Sequence, residues 1–316
     1  MRFGPRHTTS RPAARRGLER FFGPRGGAAA GLLLGLWVAG CAIPSAAERA
    51  RSLSRQGHDE QAVELLKSDI AAHPDDVSAR RLLVRLLGVT GDLPGARAQA
   101  EELARQKGAS DPTAYIELGH AFELAHRYED ALAAYDEAAT VAPTSAAGPR
   151  EGGMRSARWG EVEEARPRLE EAVRRGAVDA ETWHALGLVR LHLGDFEGAT
   201  QAYRAGAAAD PRAADCWLGL ATVGITRGDP ALALEAYDQV LARRPHFGPA
   251  ALGRAWALGK LGRKDEALRA LDQAQDLGAP AANVARLRAS LEAGASTPAP
   301  ASDQYGEDPG AAGVKE

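Results

Sequence analysis

The chain has 316 residues, length enough for a sizeable core, with 45% hydrophobic and 26% charged residues. This usage excludes a polytopic membrane protein, a collagen and a wholly disordered chain. Aromatics are scarce at 5%, Gly is abundant at 35 residues, and the net charge of −3 names no partner. The balance favours small-residue helix packing over a β-sandwich or barrel.

Residues 1–40 hold seven Arg and one acid, Glu19, and the stretch from Gly26 to Ile43 carries no charge. A basic segment followed by an apolar one is the pattern of an export signal. The apolar stretch ends in Val38-Ala39-Gly40-Cys41, which resembles the lipobox of bacterial lipoprotein signal peptides. The resemblance implies cleavage before Cys41 and acylation of its thiol, so that Cys216 is left without an intrachain partner. An ordinary signal peptide or a single membrane anchor is the other reading of these residues. Eighteen uncharged residues would span about 27 Å as a helix, slightly short of a hydrocarbon core of about 30 Å. Either way the Arg-rich end stays cytoplasmic and the chain after Cys41 is exported. Ala42 after the cysteine, in place of Asp, resembles Gram-negative lipoproteins sorted to the outer membrane, facing the periplasm.

From there on the chain repeats. Ala62, Ala96, Ala131, Ala165, Ala199, Ala233 and Ala267 are spaced 34, 35, 34, 34, 34 and 34 residues apart. Five residues before each stands Gly57, Gly91, His126, Gly160, Gly194, Gly228 or Gly262. Four after each stands Leu66, Ala100, Tyr135, Leu169, Tyr203, Tyr237 or Leu271, and twelve after each a breaker or small residue such as Pro74, Pro143 or Pro211. Each period reads as a helix, a glycine turn, a second helix whose Ala allows close approach, and a stop. No such pair buries its apolar stripe alone, so the units must stack into a solenoid.

The pattern resembles the tetratricopeptide repeat. One unit reads Trp183, Leu186, Gly187, Gly194, Ala199, Tyr203, Pro211; another reads Trp217, Leu220, Ala221, Gly228, Ala233, Tyr237, Pro245. The resemblance implies an all-α solenoid of seven repeats over 41–293, with units 43–76, 77–111, 112–145, 146–179, 180–213, 214–247 and 248–281. A cap helix follows at 281–293, with Val284, Leu287 and Leu291 on one face, and then a disordered acidic tail at 294–316. Unit four departs from the pattern, with Pro149, Gly152, Gly153 and Pro167, and is expected to be the weak point or hinge of the stack.

The sequence holds no nucleophile elbow, zinc-protease motif or EF-hand loop, and the run Gly253 to Lys260 fails as a phosphate loop in spacing and setting. His184 and His192 lie eight residues apart, about 12 Å along a helix, too far to share an ion. Paired acids such as Glu163-Glu164 read as solvated helix faces, so neither an enzyme nor a metal or other cofactor is expected. Removing residues 1–40 leaves 32 basic and 41 acidic residues, a net of −9, which disfavours nucleic acid.

In the tetratricopeptide family the first helices line a concave groove that grips partner segments. Mapped onto this chain, the groove positions are Arg81 and Arg85 in unit two, His120 and Glu123 in three, and Arg150, Met154 and Arg158 in four. Unit five adds His184, Leu188, Leu191 and His192; six adds Leu218, Thr222 and Ile225; seven adds Leu252, Trp256 and Lys260. The N-terminal half leans basic and the C-terminal half apolar, which suits a partner carrying an acidic stretch beside an apolar anchor. With a single Asn outside the repeats, Asn283, the Lys-Asn clamp of chaperone-binding relatives is absent. The expected function is a lipid-anchored, non-enzymatic scaffold docking proteins in a cell-envelope assembly such as pilus, secretion or wall-modifying machinery. A regulatory subunit of an envelope hydrolase or protease, and a cytoplasmic repeat protein starting after the apolar stretch, are the alternatives.

Overall fold

A computed structural model describes residues 44–294. The signal segment at 1–40, Cys41 as the lipid site, and the tail beyond Gly294 lie outside the described residues. Among the described residues the fold is all α-helix, as the repeat pattern requires. Helices pair as α1 (Ala46–Arg55) with α2 (Asp59–Ala72), α3 (Val77–Thr90) with α4 (Leu93–Lys107), and α5 (Thr113–Leu124) with α6 (Tyr128–Val141). Next come α7 (Ala147–Trp159) with α8 (Val162–Arg174), α9 (Ala180–His192) with α10 (Phe196–Ala209), and α11 (Ala214–Arg227) with α12 (Pro230–Arg243). The last pair is α13 (Gly248–Lys260) with α14 (Lys264–Asp276), and α15 (Ala281–Glu292) closes the stack, burying Val284, Leu287 and Leu291.

The helix boundaries follow local chemistry. Asp76, Asp92, Asp179, Asp195 and Asp229 each cap a helix by accepting a backbone N–H, and Ser45 with Glu48 forms a capping box. The turn inside each pair needs a left-handed residue, met by Gly57, Gly91, Gly160, Gly194, Gly228 and Gly262 at φ between 69° and 84°. His126 takes the same conformation at φ 58° without being glycine, and its ring meets Tyr128 edge-on at 6.2 Å. Pro149 falls in the first turn of α7, where backbone N–H groups are free anyway. Pro167 lies inside α8, which continues through it, and removes the N–H that would bond the Glu163 carbonyl.

Each second helix packs on its own first helix and on the first helix of the next pair. Several first helices also meet the first helix of the next unit, most extensively α3 with α5, so first helices form one layer and second helices the other. The seven periodic alanines are fully buried. Buried side chains fall into three clusters: one over α1 to α6, a small one around α8 and α9, and one from α10 to α15.

The tightest approach of a glycine to another helix's backbone is between α3 and α5 at Gly88, where an added Cβ would stand 2.3 Å from the Ala121 carbonyl oxygen and 2.6 Å from its Cα. Both atoms are backbone, so nothing short of moving a helix relieves the clash. Helix propensity alone would make Gly88→Ala stabilising by about 1 kcal/mol. We expect the opposite sign, a loss of about 2–3 kcal/mol in urea denaturation, because overpacking against backbone outweighs propensity.

Candidate partner-binding face

The first-helix layer positions the candidate residues, and at its N-terminal half it builds a ladder of charges across four helices. Arg81 and Arg85, one turn apart on α3, reach across to Glu117 on α5. The Arg81 Nε donates to Glu117 Oε1 at 2.8 Å, Arg85 Nη2 donates to the same oxygen at 3.1 Å, and Arg85 Nε donates to Oε2. The Glu117 side chain is 1% exposed, while Arg81 and Arg85 are 48% and 43% exposed. One turn along α5, His120 has Nδ1 3.7 Å from Glu117 Oε2 and Nε2 3.5 Å from Glu151 Oε2 on α7. These are ion-pair distances, too long for hydrogen bonds. The His120 ring also stands edge-on to Tyr135, 5.8 Å between centroids.

The ladder continues through α7. The Arg155 Nε lies 3.0 Å from Glu123 and its Nη2 3.4 Å from Glu151. Arg150 turns the other way, its Nε donating to Thr182 Oγ1 at 2.9 Å and lying 3.4 Å from Asp179, the residue that caps α9. Its Nη2 donates to Glu181.

Burial pushes the Glu117 carboxyl up, but His120, Arg85 and Arg81 together overcome it and hold the group at about 2. Burial pushes His120 down, and its interactions with Glu117 and Glu151 reverse the sign, leaving it above its ordinary value of 6.5. His120 in turn lowers Glu151. The basic lean read from the sequence is therefore corrected: Arg81, Arg85 and Arg150 each face an acid, and Arg158 stands exposed beyond the ladder.

The apolar half also reads differently in three dimensions. Trp256 is 3% exposed, Leu252 2% and Leu218 8%, all members of the α10 to α15 cluster. They are packing residues and offer no open anchor. Leu188 is exposed at 37%, while Leu191 and Ile225 are half-buried at the edge of the same cluster. Met154 is half-buried against the small cluster at α8 and α9, and the His184 ring lies 5.7 Å from that of Tyr203. What remains available is the outer edge of Arg81 and Arg85, Arg158, Leu188, the margins of Leu191 and Ile225, and the exposed His192 and Lys260.

Glu117, Glu151, Arg155 and Asp179 escaped the sequence reading because isolated acids and arginines on amphipathic helices look solvated. A usable signal was present: Glu117 follows Arg81 and Arg85 by 36 and 32 residues, close to one period. Cys216 is a buried free thiol, its pKa pushed up to about 11 by burial, with nearby acids contributing. Among the described residues no three His, Cys, Asp or Glu come together as a metal site, and no helix is long and apolar enough to cross a membrane.

Comparison with known proteins agrees with this architecture. A family model described as a tetratricopeptide repeat matches residues 47–112, 82–147, 158–214 and 184–247, and a second so described matches 224–291. Among solved structures, MamA is 22% identical, covers 54% of this chain and 93% of its own, and superposes with a TM-score of 0.51. YrrB, described as a TPR protein with an unusual peptide-binding site, is 20% identical over 58% of this chain and 94% of its own, TM-score 0.51. The C-terminal part of a TPR repeat-containing protein from Cytophaga hutchinsonii is 14% identical over 76% of this chain and 98% of its own, TM-score 0.58. At these identities the likeness is one of fold. No curated protein matches the chain.

Proposed function

Because the chain belongs to the tetratricopeptide-repeat family, whose members bind protein partners and are generally non-catalytic, we propose that it is a binding scaffold exported to the cell envelope. In this reading Cys41 carries the lipid that holds it at the outer membrane, facing the periplasm. Multiple acyl chains meet the two-signal requirement for stable anchoring. The first-helix face then docks an extended protein segment during assembly of an envelope complex such as a pilus, a secretion channel or wall-modifying machinery.

The observation that carries the docking reading is the division of exposed chemistry on that face. Half-exposed Arg81 and Arg85 keep outward N–H donors at one end, and Leu188 stands exposed with Leu191 and Ile225 beside it at the other. An acidic side chain with an apolar residue further along the same extended segment complements both ends. The peptide-binding site described for YrrB is a precedent for a segment ligand on this fold.

Crosslinking pull-down from envelope extract tests the face. We expect Leu188→Asp and Arg158→Glu, both on exposed positions, to cut recovery of a specific partner about tenfold, the equivalent of roughly 1.4 kcal/mol. Undiminished recovery with both variants overturns the docking face. Anchoring has its own test: a palmitate analogue should label the wild type and not Cys41→Ala, and equal labelling of the two rejects lipidation at that residue.

A further inference from the structure

Among the first helices inside the stack, hydrophobic packing is thinnest at one. The buried residues of α7 are Gly148, Pro149, Gly152, Gly153 and Ser156, whereas α3, α5, α9, α11 and α13 each bury at least one Leu. A fully buried Leu stabilises by about 1.5–3 kcal/mol, and α7 supplies no such side chain. Its glycines instead bring backbones together: a Cβ on Gly148 would lie 2.5 Å from the Ala139 nitrogen, and one on Gly153 3.0 Å from the Leu169 nitrogen.

Charge takes the place of apolar burial on the side of α7 that meets α5. Glu151 faces His120 at 3.5 Å and Arg155 faces Glu123 at 3.0 Å. Beside them, α8 is tied to the preceding unit by Arg168, which donates to Asp136 at 2.9 and 2.7 Å, and by Arg175, which donates to three backbone carbonyls. Arginines keep their charge at all relevant pH. Within this joint His120 is the side chain whose ordinary titration falls between pH 5 and 8.

Its surroundings are asymmetric in a useful way. Its own helix contributes Glu117 at 3.7 Å and, one turn further, Glu123; α3 contributes Arg81 and Arg85, both already bound to Glu117. From α6 comes the Tyr135 ring, and from α7 come Glu151, Arg155 and Arg150. Neither ring nitrogen has a hydrogen-bond partner, and each points toward a carboxylate of a different unit. As imidazolium the ring presents a donor to both acids. As neutral imidazole it presents a lone pair to one of them, which repels.

We infer that the α5 to α7 junction is a pH-operated joint, in which protonated His120 clamps units three and four together through Glu117 and Glu151, and loss of the proton loosens α7. The sign follows from the direction of the shift. Because His120 sits above 6.5 in the folded chain, the clamp is fully present below that pH and is lost as pH rises through the folded value. The expected window therefore lies above 6.5, and a partner spanning units three and four meets a stiffer face in acid than in mild alkali.

Hydrogen exchange of the full chain at about pH 5.5 and about pH 8, corrected for the chemical rate, tests the joint, with α11 as internal reference. Relative to α11, amides of α7 should lose protection by about three- to tenfold at the higher pH. His120→Gln and Glu151→Gln should each hold α7 at its less protected level at both pH values. Wild-type α7 protection that does not change with pH overturns the inference, as does a His120→Gln chain that keeps the pH dependence. A merely structural role for His120 predicts the first of these outcomes.

Discussion

Tyr203→Ala is expected to cost about 3–5 kcal/mol of stability, the range for removing a buried aromatic side chain. Tyr203 is 1% exposed, and its ring fills a slot with glycine on either side. A Cβ on Gly187, in the first helix of the same unit, would stand 2.7 Å from the ring; one on Gly219, in the first helix of the next unit, 2.3 Å. The ring thus wedges between two consecutive units, and removing it opens a void that neither glycine can fill. Urea denaturation followed by helical circular dichroism should show a lower midpoint with little change in slope. A double-mutant cycle sharpens the test. Gly187→Ala should destabilise the wild type, where it strikes the ring, and be close to neutral in the Tyr203→Ala background, where the ring is gone. Additive effects of the two changes would show that ring and glycine do not depend on each other.

Glu117→Gln is expected to cost on the order of 2–3 kcal/mol near neutral pH and almost nothing in strong acid. The carboxylate is buried between Arg81 and Arg85, and its folded pKa of about 2 lies below the ordinary 4.5. A depressed carboxyl contributes stability that is present above 4.5 and is lost as pH falls toward 2. A shift of this size corresponds to roughly 3 kcal/mol, and the half exposure of the two arginines argues for the lower part of the range. Denaturation midpoints of wild type and variant should therefore converge between about pH 4 and about pH 2. Arg81→Met and Arg85→Met should each cost less, about 1 kcal/mol, since one arginine remains to satisfy the acid and the lost side chain was half in water. Equal separation of wild type and Glu117→Gln across that pH range would rule out the buried carboxylate as an acid-sensitive element.

How much of this was legible in the linear chain depends on where each interaction lives. The helix pairs were legible because a glycine turn and a buried Ala act within one unit and recur every 34 residues or so. Tyr203 and Gly187 were legible for the same reason. Gly219, the other wall of the Tyr203 slot, was not, because it lies outside the motif positions and matters only once the next unit is stacked on. The groove map drawn from the family placed Trp256 and Leu252 as surface anchors. In the folded chain they belong to the packing of α10 to α15, because the last units and α15 share one continuous cluster.

Sequence alone determined the fold class, the period and the helix pairs, since these rest on local propensity and on a pattern of small and large residues repeated in register. It also determined that α7 would be unusual, from Pro149, Gly152 and Gly153. Tertiary structure alone decided which charges meet. Glu117 is an unremarkable acid until α3 and α5 close to backbone contact at Gly88, and His120 gains its second carboxylate only once the next unit is stacked on and α7 brings Glu151 to 3.5 Å. Electrostatic partners across a helix interface depend on spacing at the ångström scale, and that spacing is set by which side chains are missing between the helices.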